Sequence, residues 1–174
     1  MTRAGIGYDI HRLEDGESLI LGGVSIPSPK GTVGHSDADA LIHAIIDALL
    51  GAATAGDIGE HFPPSDPAYR GISSRELLKR VLTIIEKQGW EIGNIDSVVI
   101  LQGPKLKSYR LKMRENIAKD LGIGTDQISI KAKTKEGLDA AGELRGVEAH
   151  AVALLNRKSD DDRPPPPGED TVWV

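Results

Sequence analysis

Residues 34–53 read GHSDADALIHAIIDALLGAA, and this stretch decides the fold because it carries a clear helical pattern. Leucine and isoleucine recur at positions 41, 42, 45, 49 and 50, which is the spacing of one apolar face of an α-helix. Ser36 or Asp37 stands where a helix is usually capped. We therefore predict a helix over 37–53 whose apolar face packs on the rest of the protein.

Stretches of alternating residues on either side of this helix predict strands. Ile6, Tyr8 and Ile10 alternate with small or polar residues, which is the pattern of a strand with one face toward a core. The other predicted strands are a short one at 19–27 with a Gly-Gly turn, and those at 95–101, 128–134 and 147–155. Two further helices are predicted to start near Ser73 and Tyr109 and to stop at Gly89 and Gly122. Strands interleaved with helices indicate an α/β or α+β fold in which helices cover one sheet.

The composition fits one domain and excludes several classes of protein. A chain of 174 residues with 39% hydrophobic residues can build a single core. The absence of cysteine excludes disulfides and thiolate chemistry and leaves His, Asp and Glu as metal ligands. A net charge of −5 disfavours a nucleic-acid partner. Because we find no bilayer-spanning apolar run and no signal-peptide pattern, we expect a cytoplasmic protein without a membrane partner.

The composition changes once, near residue 157. Residues 157–174 read RKSDDDRPPPPGEDTVWV, and such an acidic, proline-rich stretch can neither bury apolar area nor complete a backbone hydrogen-bond pattern. We therefore expect one domain over 1–156 followed by a disordered tail over 157–174. The alternative is that Trp173 anchors a partner.

Three side chains suggest a metal site. Asp9 and His11 project from the same face of the first predicted strand. His43 lies in a polar stripe of the predicted helix, between Asp39 and Asp47. Asp9, His11 and His43 would form a set of one oxygen and two nitrogens that suits Zn²⁺ with a fourth position open, and Asp47 could orient the imidazole of His43. Alternatively, His11 pairs with a surface carboxylate and His43 is an ordinary helix residue.

Residues 34–37 predict an anion site at the start of the helix. Unpaired N–H groups and the positive end of the helix dipole attract anions there. His35 and Ser36 add donors for a phosphate. The alternative is that Ser36 serves only as a helix cap.

Two further stretches can each be interpreted either as part of a functional site or as ordinary structure. Residues 56–67 are rich in Gly, Pro and Asp, which is typical of a substrate-covering loop or of a plain connector. In residues 131–137, Thr134 and Glu136 share a face, and their oxygens could hold a phosphate with its divalent cation. The alternative for the second stretch is a solvated edge strand that carries lysines.

Together these stretches closely resemble one family, the 2-C-methyl-D-erythritol 2,4-cyclodiphosphate synthases of the non-mevalonate isoprenoid pathway. The resemblance covers residues 3–156, and its motifs are highly specific in their order and spacing. They are GYDIHR at 7–12, GHSDADALIHAIIDALLGAATAGDIGEHFP at 34–63, DP at 66–67, QGPKL at 102–106, KAKTKE at 131–136 and AVALL at 151–155.

The resemblance implies an α+β subunit with helices packed on one face of a mixed β-sheet. It also implies a homotrimer in which neighbouring subunits share each active site. The family's substrate is 4-diphosphocytidyl-2-C-methyl-D-erythritol 2-phosphate, whose 2-phosphate attacks the β-phosphorus of its own diphosphate. A cyclic diphosphate closes and CMP leaves, which makes the enzyme a phosphorus–oxygen lyase. Nucleophile and leaving group both belong to the substrate, so the protein contributes positioning and charge neutralisation.

The resemblance also assigns roles to individual residues. Asp9, His11 and His43 match the zinc ligands, and the second divalent cation, Mg²⁺ or Mn²⁺, is matched by Glu136. His35 and Thr134 match the groups that stabilise transition-state charge, residues 57–59 match the loop beside the methylerythritol portion, and 101–107 with 132–134 match the cytidine pocket. The full set of matched substrate contacts is Asp9, His11, His35, Ser36, Asp57, Ile58, Gly59, Phe62, Asp66, Leu101, Gln102, Gly103, Pro104, Lys105, Leu106, Lys107, Ala132, Lys133, Thr134, Lys135 and Glu136.

Several positions depart from the usual pattern of the family. Pro64 stands where the loop usually has Asp, and Ala140 stands where an aromatic residue is common. Lysine replaces threonine on either side of Thr134, and the acid and base of residues 143–145 are exchanged. These departures keep open a catalytically silent trimeric binding protein. A zinc-dependent phosphohydrolase is a third hypothesis, for which Asp47 is the candidate base.

Overall fold

The computed structural model describes residues 1–158, which contain seven strands and five α-helices. Most of the predicted tail over 157–174 lies outside the described residues, so its disorder stays a prediction. Within residues 1–158, no helix is both long enough and apolar enough to cross a membrane. The strands are β1 (Thr2–Asp15), β2 (Leu19–Leu21), β3 (Val24–Ile26), β4 (Lys30–Val33), β5 (Trp90–Ile100), β6 (Ile128–Lys133) and β7 (Gly146–Arg157). The helices are α1 (Ala40–Ala53), α2 (Ile58–His61), α3 (Ser74–Lys87), α4 (Arg110–Leu121) and α5 (Asp139–Gly142).

Five of these strands form one mixed sheet. Its strand order is β4-β1-β7-β5-β6, and the neighbours are antiparallel except for β5 and β6, which are parallel. The stretch 19–27 forms two short strands, β2 and β3, paired as a hairpin around the predicted Gly-Gly turn, where Gly22 and Gly23 have positive φ. Helix α1 contacts β1, β7 and β5, while α3 and α4 continue this helical layer toward β6. The mixed sheet with its helices confirms the predicted α+β fold.

Helix α1 lies unusually close to β1. Of its 14 residues, 12 are buried. A Cβ atom on Gly7 would lie only 1.9 Å from the carbonyl oxygen of Ala44, so only glycine permits this approach. The close contact of the two backbones places His43 of α1 beside Asp9 and His11 of β1.

The orientation of β1 differs from the prediction. Ile6, Tyr8 and Ile10 are 74%, 46% and 47% exposed, respectively, so the face expected to meet the core is open. Gly7 and the other residues in phase with it face α1. The prediction was wrong because alternation groups side chains by face without showing which face a helix covers, and α1 takes the face that lets it come closest.

The start of α1 also differs from the prediction. The helix begins three residues later and is capped by Asp39 in place of Ser36 or Asp37. Oδ1 of Asp39 accepts a hydrogen bond from the backbone N–H of Ile42 at 3.1 Å. Its two oxygens also accept from both N–H groups of the β2–β3 turn, which ties that hairpin to the helix. Complete burial outweighs these bonds and raises the pKa of Asp39 to about 6.

Candidate active site

Asp9, His11 and His43 bring three donor atoms into one small triangle. Asp9 Oδ2 lies 2.9 Å from His11 Nε2 and 3.2 Å from His43 Nδ1. The two nitrogens are 3.2 Å apart. Ligands at about 2.0 Å around a tetrahedral ion are separated by about 3.3 Å, so the triangle matches one face of a zinc tetrahedron. Within residues 1–158, these three form the one His, Asp and Glu group suited to a metal ion.

The electrostatics of the triangle favour a cation. Burial acts to raise the pKa of the Asp9 carboxyl, but the hydrogen bonds and charges of His11 and His43 outweigh it and hold the pKa well below its usual range. Burial acts to lower the pKa of His11, but its bond to Asp9 and the charge of that carboxylate raise it overall. The carboxylate therefore stays ionised and attracts positive charge between the two rings.

Each imidazole is held from its outer nitrogen. His11 Nδ1 lies 3.1 Å from the carbonyl oxygen of Val33 at the end of β4. His43 Nε2 lies 2.8 Å from Oγ of Ser74 and 3.2 Å from Oγ of Ser36. The sequence analysis missed Val33 and Ser74, because nothing in the local pattern links either residue to a histidine.

Asp47 does not contact His43 as predicted. Its Oδ1 accepts a hydrogen bond from the backbone N–H of Ile58 at 2.9 Å, which fixes the start of α2 against α1. Burial raises the pKa of this carboxyl. Among the residues that the structure describes, the orienting contacts of His43 Nε2 come from serine hydroxyls.

A cavity of about 250 Å³ opens beside the triangle. The predicted phosphate pair, His35 and Ser36, lines it together with the two imidazoles. Asp57 and Asp66 cap short helical turns through the N–H groups of Glu60 and Ala68, and this fixes the loop that borders the cavity. The apolar wall of the cavity comes from Ile58, Gly59, Phe62, Pro64, Tyr69, Ile72 and Leu77, of which the last three were not predicted.

A second cavity, of about 230 Å³, is formed by the predicted cytidine segments. Residues of segments 101–107 and 132–134 line it together. Arg110, at the start of α4, also lines it and was not predicted. Its lining residues are Leu101, Gln102, Pro104, Lys105, Leu106, Lys107, Arg110, Ala132, Lys133 and Thr134.

The turn after β6 joins this second cavity to a small oxygen cluster. Thr134 Oγ1 donates to Glu136 Oε1 at 2.9 Å, so the two side chains meet as their shared face predicted. Oε1 of Gln102 accepts from the backbone N–H of Lys135 at 3.2 Å. Lys135 in turn pairs with the buried Glu148 of β7 at 2.8 Å. The turn is therefore fixed both to the segment that follows β5 and to β7.

The two cavities are far apart within one chain. In the sheet register, Ile10 lies opposite Glu148, Glu148 opposite Ile100, and Ile100 opposite Lys133. Three strand spacings amount to about 14 Å. The metal triangle and the turn with Thr134 consequently belong to separate regions of the subunit, and the cavities share no lining residue.

The sequence profile of the YgbB family matches residues 2–156. The chain belongs to this family. Relatives named 2-C-methyl-D-erythritol 2,4-cyclodiphosphate synthase include the protein of Syntrophomonas wolfei, which is 54% identical over 155 residues, or 89% of this chain and 99% of the relative. The protein of Pelotomaculum thermopropionicum has the same name and is 56% identical, over 89% of this chain and 96% of the relative. The family resemblance predicted from the sequence is confirmed.

Solved structures of YgbB-type synthases agree with this fold. A 2C-methyl-D-erythritol-2,4-cyclodiphosphate synthase with bound CDP superimposes with a TM-score of 0.82 at 41% identity, over 88% of this chain and all of that one (100%). The Plasmodium falciparum IspF complex with CDP gives a TM-score of 0.80 at 38% identity, over 91% of this chain and 97% of that one.

Proposed function

We propose that the chain converts 4-diphosphocytidyl-2-C-methyl-D-erythritol 2-phosphate to 2-C-methyl-D-erythritol 2,4-cyclodiphosphate and CMP. An oxygen of the 2-phosphate bonds to the β-phosphorus, the bond from that phosphorus to the CMP oxygen breaks, and CMP leaves with the electron pair. Because no water is consumed, the enzyme is a phosphorus–oxygen lyase. The observation that carries this proposal is the metal-sized triangle of Asp9, His11 and His43 beside a cavity with phosphate donors.

The residues at the first cavity would hold the reacting diphosphate. Zn²⁺ or another divalent cation fits the triangle and, when bound, would supply Lewis-acid polarisation of the diphosphate. His35 and Ser36 line the same cavity, where their donors can neutralise phosphate charge. The apolar wall, to which Ile58, Phe62 and Pro64 belong, would exclude water and so favour cyclisation over hydrolysis.

The residues at the second cavity would hold the cytidine end. Segment 101–107 lines this cavity, where its backbone groups would be suited to a cytosine edge. CDP is bound in solved structures of related synthases, which supports a cytidine-type substrate. The Thr134 hydroxyl and the Glu136 carboxylate offer the hard oxygen ligands that Mg²⁺ or Mn²⁺ prefers. Thr134 would contribute to transition-state stabilisation from this side.

A second copy of the chain would bring the two regions together around one substrate. The metal triangle and Thr134 are about 14 Å apart along the sheet of one chain. The open face of the sheet, formed by Ile6, Tyr8, Ile10 and Val152, is apolar and exposed in the single chain. An exposed apolar face of this kind indicates a protein interface. We infer that three copies associate through it and that neighbouring subunits complete each site.

The phosphohydrolase hypothesis has little support in this site. It needs a base that activates water beside the metal, and Asp47 was the one candidate. The carboxylate of Asp47 is instead occupied by the N–H of Ile58 and faces the start of α2. The cytoplasmic location stays a prediction from the sequence.

Product analysis tests the proposed reaction directly. Purified protein, supplied with the cytidylyl substrate, Zn²⁺ and Mg²⁺, should release CMP and the cyclic diphosphate in equal amounts, as followed by ³¹P NMR. A linear hydrolysis product would contradict the proposal, and binding without turnover would favour a silent binding protein.

Two variants test the assignment of residues. His43→Ala should lose bound zinc and about 10³-fold or more of kcat, since a Lewis acid contributes several kcal/mol to the transition state. Lys133→Ala, at the second cavity, should raise KM and leave kcat nearly unchanged, because it removes only a binding contact. Full zinc content in His43→Ala, measured by elemental analysis, would refute the ligand assignment.

A further inference from the structure

We propose that Ser74 is a positioning residue that, together with Asp37, fixes the tautomer of His43 required for metal binding. This inference rests on the proposed function only in taking His43 as a metal ligand. Ser74 lies at the start of α3, and its side chain is completely buried between the helix layer and the loop that carries His35 and Ser36.

Ser74 forms two side-chain contacts that define its role. Its Oγ lies 2.8 Å from Nε2 of His43, the nitrogen that points away from the metal triangle. The same Oγ donates to Oδ1 of Asp37. Oδ2 of Asp37 accepts a hydrogen bond from the backbone N–H of Ser74 at 3.0 Å, so the carboxylate binds both the hydroxyl and the backbone of Ser74.

The direction of these hydrogen bonds follows from counting protons. A serine hydroxyl has one proton to donate and can accept from other donors, whereas a carboxylate only accepts. Because Ser74 gives its proton to Asp37, it can only accept from His43. Nε2 of His43 must therefore carry a proton, which makes Nδ1, the nitrogen that faces Asp9 and His11, the one that can ligate a metal.

The second histidine of the triangle is arranged in the same way by a different group. Nδ1 of His11 faces the carbonyl oxygen of Val33, which can only accept, so Nε2 of His11 is the nitrogen left free for a metal. Both rings thus hold a proton on the outer nitrogen, and a metal ion that enters the triangle needs only to displace the protons that the inner nitrogens share with Asp9. One ring is held by a backbone carbonyl, the other by a serine and a carboxylate.

Ser36 cannot replace Ser74 in this arrangement. Its Oγ is farther from His43 Nε2, at 3.2 Å, and also accepts the N–H of Ala38. Ser36 lines the cavity, where its proton is available to a phosphate, whereas Ser74 does not line the cavity and cannot touch substrate. Ser74 acts only through His43.

Zinc affinity tests the proposal, with the neighbouring serine as a matched control. Ser74→Ala should weaken zinc binding by about 10- to 100-fold, the range typical of partners behind metal ligands. Ser73→Ala should leave the affinity within about twofold, because Ser73 is exposed and makes no capping bond. Competition with a chromophoric chelator measures both dissociation constants, and circular dichroism confirms that each variant is folded. Equal zinc affinity of folded Ser74→Ala and the unmodified protein would overturn the proposal.

Asp37→Asn separates tautomer control from simple packing. The amide keeps the shape of the carboxylate but can donate to Ser74, which then donates to Nε2 of His43 and moves the ring proton to Nδ1. Zinc affinity should fall by at least as much as in Ser74→Ala, about 10-fold or more. Unchanged affinity in the folded variant would contradict the assigned direction of the bonds.

Nitrogen-15 NMR of the unmodified, zinc-free protein tests the inference without any mutation. We expect Nε2 of His43 to carry a proton, and an unprotonated Nε2 would refute the proposal. Both zinc affinity and tautomer are independent of the reaction catalysed. Failure of cyclisation would thus leave this inference standing, and normal cyclisation with unaltered zinc binding in Ser74→Ala would refute only the inference.

Discussion

The two faces of the five-stranded sheet differ in what covers them. On one face, α1 lies so close to β1 that only glycine fits beneath it, and the metal triangle sits at this contact. On the other face, Ile6, Tyr8 and Ile10 of the same strand are exposed. One face is thus covered within the subunit, while the other is left exposed and, under the proposed function, contacts further copies.

The difference separates the part of the site that forms when one chain folds from the part that, under the proposed function, forms when subunits associate. The triangle of Asp9, His11 and His43 is held by bonds within one chain, and its geometry exists before any partner arrives. The turn with Thr134 lies three strands away and, under the proposed function, meets a triangle only when another subunit docks. Four experiments test this division, in order of decreasing expected effect.

Gly7→Ala should disrupt the packing of α1 against β1, on the covered face of the sheet. The new Cβ would lie 1.9 Å from a backbone oxygen of α1, a clash that no side-chain rotation relieves. We expect the free energy of unfolding in urea to fall by about 3 kcal/mol or more. Gly51→Ala is the control, since its Cβ would meet nothing closer than 3.8 Å and a helical alanine should stabilise the protein by up to about 1 kcal/mol. A stable Gly7→Ala would show that the two backbones can separate.

Chelation of the metal should lower stability without unfolding the packed face. With the ion at a hundred times its dissociation constant, binding adds about 2.7 kcal/mol to the free energy of unfolding, which a chelator removes. The hydrogen bonds of the triangle remain, so the far-UV circular dichroism should not change at 25 °C. Unfolding on addition of the chelator would mean that the metal, and not the chain, organises this face.

Ile6→Ser and Ile10→Ser should weaken assembly through the open face. Each buried isoleucine contributes about 2 kcal/mol per subunit to association, so the sedimentation mass should shift toward that of the single chain at low concentration. Leu111→Ser on α4 is the control, because Leu111 is 61% exposed but lies away from this face. An unchanged mass in both isoleucine variants would show that assembly, if present, uses another surface.

Thr54→Gly, at the C-terminal end of α1, should slightly raise the free energy of unfolding. Thr54 caps the helix with φ of 59°, a conformation that a β-branched residue tolerates poorly and glycine adopts freely. We expect thermal unfolding to show a gain of about 0.5 to 1 kcal/mol. Thr83→Gly, within α3, is the control and should lower the free energy of unfolding by about 0.5 kcal/mol. A lower free energy of unfolding in Thr54→Gly as well would show that Thr54 is not strained.

Much of the framework and the metal triangle could be predicted from the sequence. The periodic apolar positions of α1, α3 and α4 report their burial directly, and the alternation in β1 correctly placed Asp9 and His11 on one face. The short elements β4, α2 and α5 carry too few residues for a period to show. The predicted roles of the substrate-contacting residues remain predictions for the experiments above.

Two of the errors have a common physical origin, because each concerns a choice among similar residues. Ser36, Asp37 and Asp39 are all good helix caps, and the β2–β3 turn selects Asp39 by offering it two further N–H groups. Asp47 was expected to orient the imidazole of His43, but Ser74, which follows His43 by 31 residues, makes that contact.

The sequence by itself determined the kinds of elements, their order and the donor atoms offered to a metal, because local periodicity and side-chain chemistry are written in neighbouring residues. Only the tertiary structure decided which face of β1 is covered and which proton acceptor stands behind each histidine. Those choices depend on how closely two backbones can approach and on contacts between residues far apart in the chain. In this protein, the close approach at Gly7 determines which face of β1 is covered, and Ser74 is the group that contacts the outer nitrogen of His43.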